Sequence, residues 1–138
     1  MSRFDKILEE QKQKLKKAIK HLDYSYLKVE NLPTHLDSLS EDQLADWEAY
    51  SARFSRVIEL FLGRYLRSEI LKGDPAFEGS LRDYVNKAEK LNLIENAEIW
   101  MGLRELRNIT AHEYSESDLE GYFARLRQEY STLKKIKL

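Results

Sequence analysis

Arg107, Asn108, His112 and Tyr114 lie in one short stretch, LRELRNITAHEYSES at 103–117, with Arg104 one helical turn ahead. Arginine presents a fixed fork of donors that suits a phosphate. Histidine takes or gives a proton near neutral pH. Asparagine can orient the histidine or donate to a phosphate oxygen. Tyrosine adds a hydroxyl and a face on which a base can stack. Together these groups could hold a phosphodiester, activate a ribose 2′-hydroxyl and protonate the leaving oxygen, which is metal-independent RNA cleavage. The residue types also have a plain use. Arginine at a helix C-terminus meets the helix dipole favourably, and histidine near a helix end is ordinary. Spacing by itself leaves both uses open.

The element that carries these residues reads as a helix from about Asn96 to about Thr110. On a wheel, Ile99, Leu103, Leu106 and Ile109 gather on one side as the expected core face. Arg104, Arg107 and Asn108 fall opposite, and His112 joins them if the helix continues. Arg104, Asn108 and His112 are spaced four apart along one ridge, and Tyr114 lies seven after Arg107. Trp100 can be read as core or as a stacking surface.

The remaining chain supplies helices to hold that one. Apolar residues recur at three to four from Arg3 to about Val29: Phe4, Ile7, Leu8, Leu15, Ile19, Leu22 and Tyr26. Between them KQKLKKAIK is dense in lysine and reads as a solvated face. Pro33 breaks the pattern. Ser40 with Gln43 forms a capping box that opens a long helix to about Lys72, ended by GDP at 73–75. A shorter helix is expected over Ser80–Leu91. Ser117 with Glu120 offers a second box for a last helix. No stretch alternates strictly enough for a strand. The expectation is a single all-α domain over 1–138, an up-and-down antiparallel bundle of about five helices.

The composition narrows the classes. The chain has 138 residues, net charge −1, no cysteine and few Gly or Pro. Disulfides and thiolate zinc sites are excluded, and a reducing cytoplasm suits the chain. No run is long enough for a membrane span, and the N-terminus lacks the apolar middle of a signal peptide. No HExxH, P-loop or GxGxxG occurs, so no metal or cofactor is expected. With no global basic field, RNA binding must come from a local patch. One such patch is on the long helix. There Arg53, Arg56, Arg64 and Arg67 fall within roughly a quarter turn, either as a rail for RNA backbone or as dipole compensation for Glu41, Asp42 and Asp46. Trp47, Tyr50, Phe54, Phe61 and Tyr65 on the same helix read as core or interface more readily than as stacking platforms. His21 and His35 have no evident partners.

RNITAHEY resembles the Arg–x4–His–x–Tyr signature of the HEPN superfamily, and in particular the HepT branch of the MntA–HepT toxin–antitoxin systems. That branch includes proteins once called nucleotidyltransferase substrate-binding subunits. ARFSRVIELFLGRYL resembles the long second helix of those proteins, so the likeness runs from about Trp47 onward. The N-terminal forty residues fit the family pattern poorly. The resemblance implies a helical bundle that dimerises through the motif helix to build a composite cleft. It implies Arg107 and His112 as the RNA-cleaving residues with Asn108 assisting; beside it, the ridge reading gives Arg104 and the arginine stripe gives Arg53 as the expected RNA contacts. Tyr114 would be the acceptor of AMP from a partner nucleotidyltransferase, and the bulky anion beside His112 would silence the nuclease. Arg53 is the stripe residue placed nearest the cleft, because its RF matches the family helix. Some relatives with such a motif are non-catalytic, and a nucleotide- or partner-binding subunit of a nucleotidyltransferase complex is the second reading.

Overall fold

Three serines start three helices in the computed structural model, which describes residues 2–108 and 116–138. Ser2, Ser40 and Ser80 each accept from the backbone N–H three residues on, and Asp5, Gln43 and Asp83 reach back to the serine N–H. Each box satisfies two donors that a helix start otherwise leaves bare. The helices so opened are α1 (Arg3–Val29), α2 (Glu41–Leu60) and α4 (Leu81–Lys90). The expected box at Ser117 is not the start of its helix. That element, α6 (Glu116–Gln128), already includes Ser117.

The long helix is not uniform. Residues Phe61–Tyr65 form a π turn in which the Leu66 N–H reaches the Phe61 carbonyl, and α3 (Leu66–Gly73) continues beyond it. The turn holds one residue more than an α turn, so it sets back everything after it by roughly a quarter turn. This matches the apolar pattern. Trp47, Tyr50, Phe54, Val57 and Ile58 are buried before the turn, Phe61 at its first position, and Leu66 and Ile70 after it. A regular α-helix would have carried Leu66 and Ile70 away from that face. The π turn returns them.

α1 and α2–α3 run antiparallel: Lys28 meets Asp46, Ser25 meets Arg53, and Asp5 meets Lys72 at 2.8 Å. The N-terminal segment is therefore part of the body of the bundle, burying Leu8, Leu15, Ala18, Leu22 and Val29. Phe4, expected in the core, stays exposed at the end of the helix. α4 and α5 (Ala97–Asn108) follow, then α6 and a final turn, α7 (Tyr130–Leu133). With α2–α3 counted as one, five principal helices form the bundle, and no strand occurs among the described residues. None of the described helices is long and apolar enough to cross a membrane.

Candidate functional site

The sequence motif runs from the last turn of α5, which carries Arg107 and Asn108, towards α6, and its part after Asn108 lies outside the described residues. Two side chains fix where α5 begins. Asn96 Oδ1 accepts from the Ile99 N–H at 3.1 Å, and Glu89 Oε2 accepts from the Ala97 N–H at 2.7 Å. From there Ala97, Trp100, Leu103 and Leu106 face inward. Trp100 is 5% exposed and its ring lies 4.7 Å from that of Phe61 in the π turn. It is a core residue. Ile99, expected inside, is 48% exposed, so the core face is turned by about one residue from the expected one. The reason is the partner: the wide Phe61 ring accepts an indole at this level, and Ile99 is left at the rim.

α6 is held against α2 from its middle onward, through Tyr122, Phe123 and Leu126. Phe123 stacks on Trp47 with ring centroids 4.8 Å apart, and both are fully buried. The Ser51 and Tyr122 hydroxyls are 2.7 Å apart, and the Tyr50 hydroxyl donates to the Leu126 carbonyl at 2.8 Å. Arg127 Nη1 donates to the carbonyls of Val29, the last residue of α1, and Leu32, in the turn after it, at 3.0 and 2.6 Å. The Trp47 indole N–H donates to the Pro33 carbonyl at 2.9 Å. Loss of the Phe123 ring would cost about 3–5 kcal/mol, typical of a buried aromatic truncated to alanine.

Both flanks of the motif are therefore fixed by α2. Arg107 and Asn108 close the last turn of α5. Their side chains, with His112 and Tyr114, lie outside the described residues. Arg104 sits one turn earlier on α5 and is partly exposed. Arg53 is held by α1: its Nη1 donates to Ser25 Oγ at 2.7 Å and to the His21 carbonyl at 3.3 Å, and its guanidinium lies over the Tyr24 ring. Arg67, beyond the π turn, lies over the Tyr84 ring of α4 at 4.7 Å. The four arginines thus do not share one neighbour.

His35, which has no evident partner nearby in sequence, joins the loop after α1 to α6. Its Nδ1 is 3.1 Å from Glu120 Oε2 and its Nε2 is 3.4 Å from Asp37 Oδ2. Glu120, by hydrogen bond and charge, raises the imidazole pKa above its ordinary value. Nothing in the local sequence announced this pair, because its members are 85 residues apart.

The family model described as nucleotidyltransferase substrate binding protein like matches residues 10–137. The match includes most of α1, so the likeness is not confined to the chain after Trp47, and the N-terminal helix is family structure. No curated protein and no solved structure matches the chain. With this fold, and with the motif joining two helices locked to α2, the chain belongs to the nucleotidyltransferase substrate-binding-protein-like family, which is the HepT-like family.

Proposed function

We propose that this protein is a metal-independent endoribonuclease toxin, acting at a composite site between two copies and silenced by a partner nucleotidyltransferase. The observation that carries the proposal is the fixing of α5 and α6 on α2, on either side of the segment with Arg107, Asn108, His112 and Tyr114. Such rigid flanks are what a catalytic constellation needs. In the reaction a ribose 2′-hydroxyl attacks the adjacent phosphorus and the bond to the 5′ oxygen breaks. The products are a 2′,3′-cyclic phosphate and a 5′-hydroxyl. Arg107 and Arg104 hold the phosphate charge, and Asn108 orients His112. With two copies at the cleft, one His112 takes the 2′ proton and the other gives a proton to the leaving oxygen. For silencing, the Tyr114 hydroxyl attacks the α-phosphate of ATP bound to the partner enzyme and releases pyrophosphate. The AMP then fills the cleft and competes for the arginines.

The family description favours a second reading, in which the cleft binds a nucleotide or the partner enzyme without catalysis. One experiment separates the two. The protein is purified free of partner, shown by mass to carry no AMP, and incubated with RNA in EDTA beside His112→Ala and Arg107→Ala. Cleavage by the wild type with 2′,3′-cyclic ends, lost in both variants while sedimentation shows the dimer intact, is the expected result. No cleavage by the unmodified wild type supports the binding subunit.

A further inference from the structure

The lysines of α1 are solvated as expected, and two of them, Lys14 and Lys17, belong to a longer row on one side of the helix. Lys14, Lys17, His21, Tyr24 and Lys28 follow one another at steps of three and four, so they form one row along the helix. Arg53 and Arg56 of α2 face the same row: with Ala18 and His21 they line a groove of about 160 Å³ between the two helices. Tyr24 stands over this groove, 58% exposed, with Arg53 5.8 Å and Lys28 5.2 Å from its ring centre. Leu27 beside it is 69% exposed. The acids are at the ends. Asp46 is 4.0 Å from Lys28, and Glu10 lies one turn before Lys14. A chain of net charge −1 thus sets Arg53, Arg56 and His21 in one groove, with Lys28 and the exposed Tyr24 beside it and Lys14 and Lys17 further along the same row.

We infer that this α1–α2 groove binds the backbone of single-stranded RNA and that Tyr24 stacks a base. The inference rests on the RNA-cleaving reading and gives that reading a surface for the substrate outside the motif. The row spans about 21 Å at helical rise, enough for about four nucleotides, the low end of single-strand sites. Phosphates meet Lys14, Lys17, Arg56 and Lys28, and Arg53 is already braced by Ser25 and the His21 carbonyl, so it gives up little freedom on binding. Arg67 is excluded from this track by the π turn.

The test uses the full chain with His112→Ala, so that RNA binds without being cut, and a fluorescein-labelled 12-mer of uridine in EDTA, read by anisotropy across a salt series. Lys17→Ala with Arg56→Ala is expected to weaken binding about 20-fold at 0.1 M salt and to make the log–log salt slope shallower by about 1.4. Tyr24→Ala is expected to cost about tenfold, and Tyr24→Phe to retain binding. Lys90→Ala with Lys135→Ala removes the same charge elsewhere and sets the baseline. A groove pair no weaker than this baseline overturns the inference. So does a groove pair that keeps RNA but releases a co-purifying nucleotidyltransferase, which would make the groove a protein-docking surface. The two readings fail separately. Groove-dependent binding by a protein whose wild type never cleaves keeps the groove and removes the nuclease. Cleavage indifferent to the groove does the reverse.

Discussion

The two halves of the long second helix carry arginines that a single wheel places side by side, yet they meet different neighbours. Before the π turn, Arg53 is braced on α1 and Arg56 lines the α1–α2 groove. After it, Arg67 lies against Tyr84 of α4. The difference is one residue of helical phase. It teaches that the apolar pattern was the senior constraint: the chain adopts a less common turn so that Leu66 and Ile70 stay buried, and the charged face follows wherever that leads.

The comparison can be broken most forcefully by adding phase. An alanine inserted after Gly63 would turn Leu66 and Ile70 off the core face. Each buried aliphatic lost is worth about 2–5 kcal/mol, and the sum approaches the whole stability of a small domain. The expected result is loss of the cooperative thermal melt. Deleting Gly63 is the opposite case. It should leave a regular α-helix with the same residues buried, and stability within about 1 kcal/mol of the parent. A deletion as damaging as the insertion would show that the π turn does more than correct phase.

A smaller effect separates the two arginine sites. Arg53→Ala removes hydrogen bonds to Ser25 and the His21 carbonyl and should destabilise by about 0.5–1.5 kcal/mol, with weakened RNA binding. Arg67→Ala removes a contact with Tyr84 worth about 0.5–1 kcal/mol and should leave RNA binding unchanged. Denaturant melts with the anisotropy assay read both. Equal loss of RNA binding would restore a single rail along the helix.

The smallest effect is a pH dependence at the far end. Lys72 on α3, then Ser2, hold the Asp5 carboxyl down to about 2. A lowered folded pKa stabilises above the unfolded value, so the contribution is complete above about pH 4 and is lost as pH falls towards 2. Asp5→Asn should flatten this part of the stability–pH curve, and an unchanged curve would assign the acid sensitivity elsewhere.

How much of this was legible in the sequence follows from the range of each signal. Ser40 with Gln43 is a local device, and it starts its helix where the letters place it. Pro33 and the GDP break are local too, and both end helices as expected. The motif from Arg107 to Tyr114 pointed to the family that the chain belongs to. Contacts across the fold were not legible. Ile99 and Trp100 differ by one position on a wheel, and the choice between them is made by Phe61, nearly forty residues away. The π turn could have been suspected, because Leu66 and Ile70 drift from the line of Trp47, Tyr50 and Phe54. The lysines of α1 are solvated as read, but that Arg53 and Arg56 stand beside the same side of α1 was not legible, because they belong to another helix.

The clamp of Arg127 on the Val29 and Leu32 carbonyls, with Tyr130 and Lys134 on Asp23, joins residues 95 to 111 apart in the chain. Contacts so remote form slowly, since a long loop must close before they give anything back. The α1–α2 hairpin needs no such closure and can dock while the rest is still being synthesised. Its far end, with the Leu32 carbonyl lacking its Arg127 donor and Trp47 missing its Phe123 lid, stays unsealed until α6 arrives. The nascent chain therefore carries an open, sticky seam for most of its synthesis, and α6 and α7, which follow the motif, are the pieces that shut it.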